Sequence, residues 1–259
     1  MNSVRKRLDS IAKFIDLIKP DILCLQETKV TNDLFPANYF YDLGYDYIFY
    51  NGEKSYNGVA IIAKIPLAKQ KTIQFGGHES ARHISAEIKI KQNIIDLHNF
   101  YIPAGGDEPD PVTNNKFAHK LQYLDDMYDY FVKQKKQEKQ IVILGDFNIA
   151  PLPNDVWSHK QLINVVSHTE IEVEKLDKLR QSLNFIDTAR FFVPESEKLY
   201  SWWSYRNRDW RKSNRGRRLD HIWFTPNLQN NLVANYIFNE TRDWDLPSDH
   251  CPVITEIEA

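Results

Sequence analysis

Two short apolar runs constrain this chain more than any other feature. Ile22-Leu23-Cys24-Leu25 and Ile141-Val142-Ile143-Leu144 carry no polar residue at alternate positions, so a strand built from either must be covered on both faces. Around them lie helical patterns. Val4, Leu8, Ile11, Ile15 and Ile18 recur at steps of four and three and predict an N-terminal helix that Pro20 ends. Lys116–Lys139 and Glu170–Leu183 are helical in composition. Ile84–Ile90 and Ile94–Tyr101 read as a hairpin turning at Lys91-Gln92-Asn93. Further strands are expected at 45–50, 59–63, 199–205, 219–224, 232–237 and 253–257, with a loop over 103–111 and irregular chain over 151–168. Hairpins mixed with a few long helices, without regular strand–helix alternation, point to an α/β sandwich rather than a doubly wound sheet. The 259 residues show no repeat, low-complexity block or long linker, and one domain, 1–259, is expected.

Charge and cysteine content exclude several classes. With 33 basic and 35 acidic residues the net charge is −2, which rules out nucleic-acid binding by bulk charge. Cys24 and Cys251 are the only cysteines, so neither a disulfide framework nor a cysteine zinc site can be built. No run of eighteen apolar residues predicts a membrane span. The basic N-terminus lacks the apolar run of a secretory signal, so a soluble, intracellular protein is expected.

The positive charge is instead concentrated locally. Lys198, Arg206, Arg208, Arg211, Lys212, Arg215, Arg217 and Arg218 face only Asp209 and Asp220 within 198–220, and Tyr200, Trp202, Trp203, Tyr205 and Trp210 are interleaved with them. Bases mixed with aromatics suit phosphate contacts beside a pocket or wedge for a base or sugar, although a solvated face has the same composition.

Four polar clusters adjoin predicted strands: Gln26-Glu27-Thr28-Lys29, Asn99-Phe100-Tyr101, Gly145-Asp146-Phe147-Asn148 and Ser248-Asp249-His250. A fifth, Leu219-Asp220-His221, opens a strand. Any one alone is an ordinary capping or turn motif; five together place carboxylates on one rim of a sheet. Glu27, following an apolar run, needs a cation or a base, and a hard divalent ion suits it. If the chain stays extended, Asp146 and Asn148 face the same side as a base and an amide donor. Asp249 and His250 are adjacent and point apart, so the carboxylate that holds His250 should come from another strand, and Asp220 is the expected partner. The other seven histidines are read as surface or packing residues.

Leu25-Gln26-Glu27-Thr28-Lys29, Asn99-Phe100-Tyr101-Ile102-Pro103, Gly145-Asp146-Phe147-Asn148, Arg218-Leu219-Asp220 and Ser248-Asp249-His250 resemble, in order and spacing, the exonuclease III family of apurinic/apyrimidinic endonucleases. This family lies within the endonuclease/exonuclease/phosphatase superfamily. Tyr200-Ser201-Trp202-Trp203-Ser204-Tyr205-Arg206 looks like the family's abasic-pocket strand. The resemblance implies a four-layer α/β sandwich, two packed mixed sheets flanked by helices. It implies hydrolysis 5′ to abasic sites in duplex DNA, with 3′→5′ exonuclease and 3′-phosphatase or diesterase activity. Mg²⁺ is the implied cofactor, with Mn²⁺ as an alternative. The implied partner is double-stranded DNA with abasic sites or blocked 3′ ends, for a monomer in the cytoplasm near the nucleoid.

Carried over position by position, Tyr101, Asp146, Asn148, Asp220 and His250 form the catalytic set, and Glu27, Asn2 and Asp249 lie at the metal. Trp202, Trp203, Arg206, Arg215, Arg217 and Leu219 contact DNA. Two departures accompany the match. The family's first strand and its leading Asn have no counterpart before Asn2, so a sheet short of one strand and weakened activity are expected. Ala104 also stands where many relatives carry an Asn. The rival readings are a catalytically impaired DNA-binding protein of the same fold and a superfamily phosphatase acting on a soluble or lipid head group.

Overall fold

A computed structural model describes residues 1–206 and 209–258; Arg208 of the basic stretch lies outside the described residues. In chain order the elements begin Leu8–Ile18 (α1), Ile22–Gln26 (β1), Ala37–Asp42 (α2), Tyr47–Asn51 (β2), Val59–Ala63 (β3) and Leu67–Lys71 (β4). There follow His83–Ile90 (β5), Asn93–Tyr101 (β6), Asn115–Gln134 (α3), Gln140–Asp146 (β7), His159–Leu162 (α4), Glu170–Ser182 (α5) and Ile186–Asp187 (β8). The last third adds Thr188–Phe192 (α6), Trp202–Trp203 (β9), Trp210–Ser213 (α7), Gly216–Arg217 (β10), Asp220–Phe224 (β11), Leu232–Ile237 (β12) and Val253–Ile257 (β13).

The predicted N-terminal helix is split: Val4–Lys6 form a 3-10 turn, and the α-helix starts at Leu8. Its end is set by Lys19 in the left-handed region, one residue before Pro20. The expected 199–205 strand shortens to Trp202–Trp203. Helix α5 starts on a capping box, Thr169 with Glu172, which satisfies donors that a helix N-terminus otherwise leaves free.

Six strands form one mixed sheet in the order β4-β5-β6-β7-β11-β8, in which only β6 and β7 run parallel. Period-two alternation divides its two faces. Phe100, Ile141, Ile143 and Trp223 pack against Tyr123, Leu124, Met127 and Phe131 of α3 and Leu176 and Leu179 of α5. Ile84, Ala86, Ile95, Leu97, Val142 and Phe224 share a core with Val59 and Ile61 of β3, with Ile22 and Cys24 of β1 packed on it. The opposite faces of β1 and β3, through Leu25, Ala60 and Ile62, meet Ile11 and Ile15 of α1 and Phe40 of α2. Both unbroken apolar runs are thus covered on two sides.

The remaining strands form a three-stranded group, β1-β3-β2, and two pairs, β12-β13 and β10-β9. Among the described residues β1 has β3 as its one partner strand and β13 has β12. Between β1 and β13 lies a cavity of about 870 Å³, lined by residues of both strands and by Ile11 and Phe14 of α1. Met1 lines the same cavity, and its ammonium donates to the Gln26 carbonyl at 3.1 Å.

Candidate active site

Three neighbouring strands present a row of reactive side chains at one rung. Tyr101 on β6 pairs in register with Asp146 on β7, and Asp146 with Asp220 on β11. Gly145 makes this row possible: its φ is +130, and a Cβ there would lie 2.0 Å from the Phe100 carbonyl oxygen. Asn148 does not continue the extended chain expected for it; its φ is +53. The turn still delivers it to the same carboxylate. Its backbone N–H donates to Asp146 Oδ1 at 3.0 Å, and its side-chain amide donates to Asp146 Oδ2 at 3.2 Å and to the Ile102 carbonyl at 2.9 Å.

His250 completes the group. Its Nδ1 lies 2.9 Å from Asp220 Oδ2, and its Nε2 lies 3.7 Å from Asp146 Oδ2. Burial disfavours the imidazolium, but the carboxylates of Asp220, Asp146 and Asp249 outweigh it and push His250 up to about 10. Burial raises Asp146 to about 7, reinforced by Asp220 and opposed by the His250 charge. The site therefore pairs a protonated imidazole with a carboxyl poised near neutrality. Ser201, which stands in the aromatic motif without an expected role of its own, donates to Asp220 Oδ2 at 2.6 Å and accepts the N–H groups of Leu219 and Asp220.

A second group adjoins the first. The Tyr101 hydroxyl donates to Glu27 Oε1 at 2.7 Å. Burial and the nearby Glu27 and Asp146 carboxylates push the phenol far above its ordinary value, so it remains a neutral donor. Lys29 Nζ lies 3.4 Å from Glu27 Oε1 and donates to Asn2 Oδ1 at 2.8 Å. Asp249 accepts from Trp202 Nε1 through Oδ2 at 3.0 Å, while its buried Oδ1 has no hydrogen-bond partner.

Carboxylate and amide oxygens such as those of Glu27, Asn2 and Asp249 are the donor type a hard divalent cation takes. Glu27 and Asn2 already share one positive charge, the Lys29 ammonium, and Asp249 offers an unsatisfied carboxylate oxygen. Among the described residues the cluster whose ligand atoms all lie within 4.8 Å of one another is a different one, Asp146, Asp220 and His250. There the imidazole is protonated and engaged by Asp220, so a hydrogen-bonded relay describes the trio better than a metal cage.

Residues 1–250 match the Endonuclease/Exonuclease/phosphatase family. The chain belongs to the exonuclease III/AP endonuclease family of that superfamily. It is 28% identical to exodeoxyribonuclease III of Haemophilus influenzae over 100% of this chain and 97% of that protein. An AP endonuclease structure from Archaeoglobus fulgidus matches with a TM-score of 0.89 at 33% identity, covering 100% of this chain and 96% of the other. The 3′ phosphatase NExo from Neisseria, solved bound to a product DNA hairpin, matches with a TM-score of 0.89 at 27% identity, covering 100% and 96%. The fold is thus the mixed α/β fold of these family structures over the full length. Among the described residues no helix is long and apolar enough to cross a membrane.

In this family member the basic aromatic stretch is sorted by tertiary structure. Trp202 lies beside the relay, bridged to His250 and packed with Leu219, Ala150, Val156 and Leu162. Arg206 and Arg215 are exposed, with Arg215 over the Trp157 ring. Arg217 lies over Trp202 and donates to the Val166 carbonyl and Ser167 hydroxyl. Trp203 does not fit the DNA-contact role expected for it. It is 3% exposed, packed edge-on against Tyr200 and Trp210, with its indole N–H on Asn214. Arg218 is wholly buried on Asp155 and Asp187, and Arg211 pairs with Asp243. A one-dimensional charge count cannot separate a guanidinium that meets solvent from one that holds the core.

Proposed function

We propose that this protein is a Mg²⁺-dependent DNA repair hydrolase that cuts the phosphodiester 5′ to abasic sites in duplex DNA. The proposal includes 3′→5′ exonuclease and 3′-phosphatase or diesterase action on blocked ends. The observation that carries it is the relay itself: Asp146 near neutrality, held by Asn148, opposite an imidazolium held by Asp220. Hydrolysis of a phosphodiester needs a base for water and a donor for the charge that builds on phosphate oxygens.

Asp146 takes the proton of the attacking water, and its value near 7 suits a base working at neutral pH. The Asn148 amide keeps the carboxylate oriented. His250 Nε2, the nitrogen not occupied by Asp220, donates to a non-bridging oxygen. Tyr101 offers its phenol to the scissile phosphate. Glu27, Asn2 and Asp249 would hold Mg²⁺, with Mn²⁺ as the alternative, and a cation there would supply positive charge to offset that on the phosphate and leaving oxygens. Trp202 and Leu219 form the apolar wall for an abasic sugar, which costs less to extrude than a nucleotide still carrying a base. Arg206 and Arg215 meet the backbone phosphates.

The architecture proposed with this function is one domain in four layers. Supporting it are the helices α3 and α5, the six-stranded sheet, the second group of strands and the helices α1 and α2, in that order of contact.

The deciding experiment is incision of a duplex oligonucleotide carrying one abasic site, with Mg²⁺ and with a chelator. Cleavage confined to Mg²⁺ supports the reading. Salt-dependent binding without incision leaves the impaired binder. Turnover of a small phosphomonoester that survives Arg206→Glu and Arg215→Glu supports the head-group phosphatase instead. Glu27→Ala should raise the Mg²⁺ requirement steeply, which a metal titration reads directly.

A further inference from the structure

Beneath the relay lies a buried charge that the chemistry above does not use. Lys120 sits on the apolar stripe of α3 with Phe117, Leu121 and Leu124, and is 0% exposed. An ammonium in that position is costly unless it is paired and fully hydrogen-bonded. Its ion-pair partner is Glu172 Oε1 at 2.5 Å, itself fully buried and fixed by the N–H groups of Ser167 and Thr169 and by the Thr169 hydroxyl. The remaining bonds of Lys120 go to two active-site loops. Nζ donates to the Asn148 carbonyl at 2.8 Å and to the Ala104 carbonyl at 3.3 Å.

The Asn148 carbonyl is a sensitive place to hold. Asn148 adopts the left-handed conformation, and this turn aims its side-chain amide back at Asp146. Gly105 closes over the stem of Lys120 so tightly that a Cβ there would come within 3.0 Å of Lys120 Cδ. The Glu172 end of the pair anchors Ser167, whose hydroxyl also receives Arg217 at 2.6 Å. One ion pair therefore ties the loop holding the base to the loop holding a basic side chain over Trp202.

We propose that Lys120, paired with Glu172, is a positioning residue that holds Asn148 on Asp146 through the Asn148 carbonyl and so sets the rate of hydrolysis. This rests on the hydrolase reading, and the test keeps the two apart. Lys120→Met alone strands the Glu172 charge in the interior and lowers stability. The double variant Lys120→Met/Glu172→Gln removes both charges, and its thermal midpoint is expected to return towards wild type, as when a buried pair is replaced by uncharged groups. Its kcat for abasic-site incision is nevertheless expected to stay down about tenfold or more, with KM within about twofold. Recovery of wild-type kcat together with stability would overturn the proposal and leave the pair a stabilising contact only. An inactive wild type in the same assay would instead sink the hydrolase reading. If the double variant does not fold, the wild-type protein labelled with ¹⁵N-lysine decides. The Lys120 ammonium signal is expected to exchange slowly and to shift when Mg²⁺ and an abasic duplex are added to active enzyme, whereas an unmoved signal refutes the coupling.

Discussion

Two largely buried charged clusters flank the start of β11, each built on a pair of aspartates and balanced in opposite ways. Arg218 donates to both oxygens of Asp155 at 2.8 Å and to Asp187 Oδ2 at 2.7 Å, and Arg190 adds a second base on Asp155. Asp187 also caps α6 through Ala189 and Arg190. Two acids meet two guanidinium groups and the His221 ring, and the carboxyls are held below their ordinary values because these partners outweigh burial. Two residues along the chain, Asp220 joins Asp146 around a single imidazole. There burial wins at Asp146 and its carboxyl rises. Both clusters are largely buried and hydrogen-bonded, but only the second leaves a carboxyl near neutrality and an imidazole nitrogen free to donate. The difference is what separates a structural ion-pair network from a site suited to proton transfer.

This contrast can be broken from either side. Asp146→Asn, in the unbalanced cluster, should lower abasic-site incision on the order of a thousandfold while leaving the fold intact, measured by single-turnover assay beside a melting curve. Arg218→Met, in the balanced cluster, should do the reverse. It removes the base shared by two carboxylates, leaving Asp155 on Arg190 alone, and is expected to cost about 3–5 kcal/mol in a urea titration, with turnover per folded molecule little changed. His250→Ala removes a transition-state donor and should slow incision by about a hundredfold, with DNA affinity largely retained.

The smallest effect lies in the pH dependence of stability, where the clusters should differ in sign. Asp155 has a folded value below its ordinary 3.8, so its contribution is complete above that pH and is lost as the solution is acidified. His250 is raised from 6.5 to about 10, so its contribution is complete below 6.5 and is lost as pH rises through about 10. Urea midpoints of wild type, Asp155→Asn and His250→Ala across this range should show the first gap closing in acid and the second in alkali. Gaps that close together would dissolve the distinction.

Much of the site could be read along the chain because its residues sit where apolar runs stop. Glu27 follows β1, Asp146 ends β7, Asp220 opens β11 and His250 precedes β13. Side-chain alternation indicated that the carboxylate on His250 comes from another strand, and the expected candidate, Asp220, is the one found there. Lys120 left a weaker trace, a charge on the apolar stripe of α3, which was there to be noticed. Ser201 left none: a small hydroxyl in an aromatic stretch gains its role only because β11 passes beside it. Trp203 and Arg218 show the opposite error, since residue type suggested a surface and packing placed both inside.

By itself, then, the order of residues determined which segments must be strands covered on both sides and which polar groups stand at their ends, because period and sterics act over a few neighbours. What only the tertiary structure decided was the electrostatic outcome: which buried carboxylates are neutralised, which is left near neutrality, and which arginines remain in water. Those depend on desolvation and on charges brought close by strands far apart along the chain, and neither is a property of local sequence.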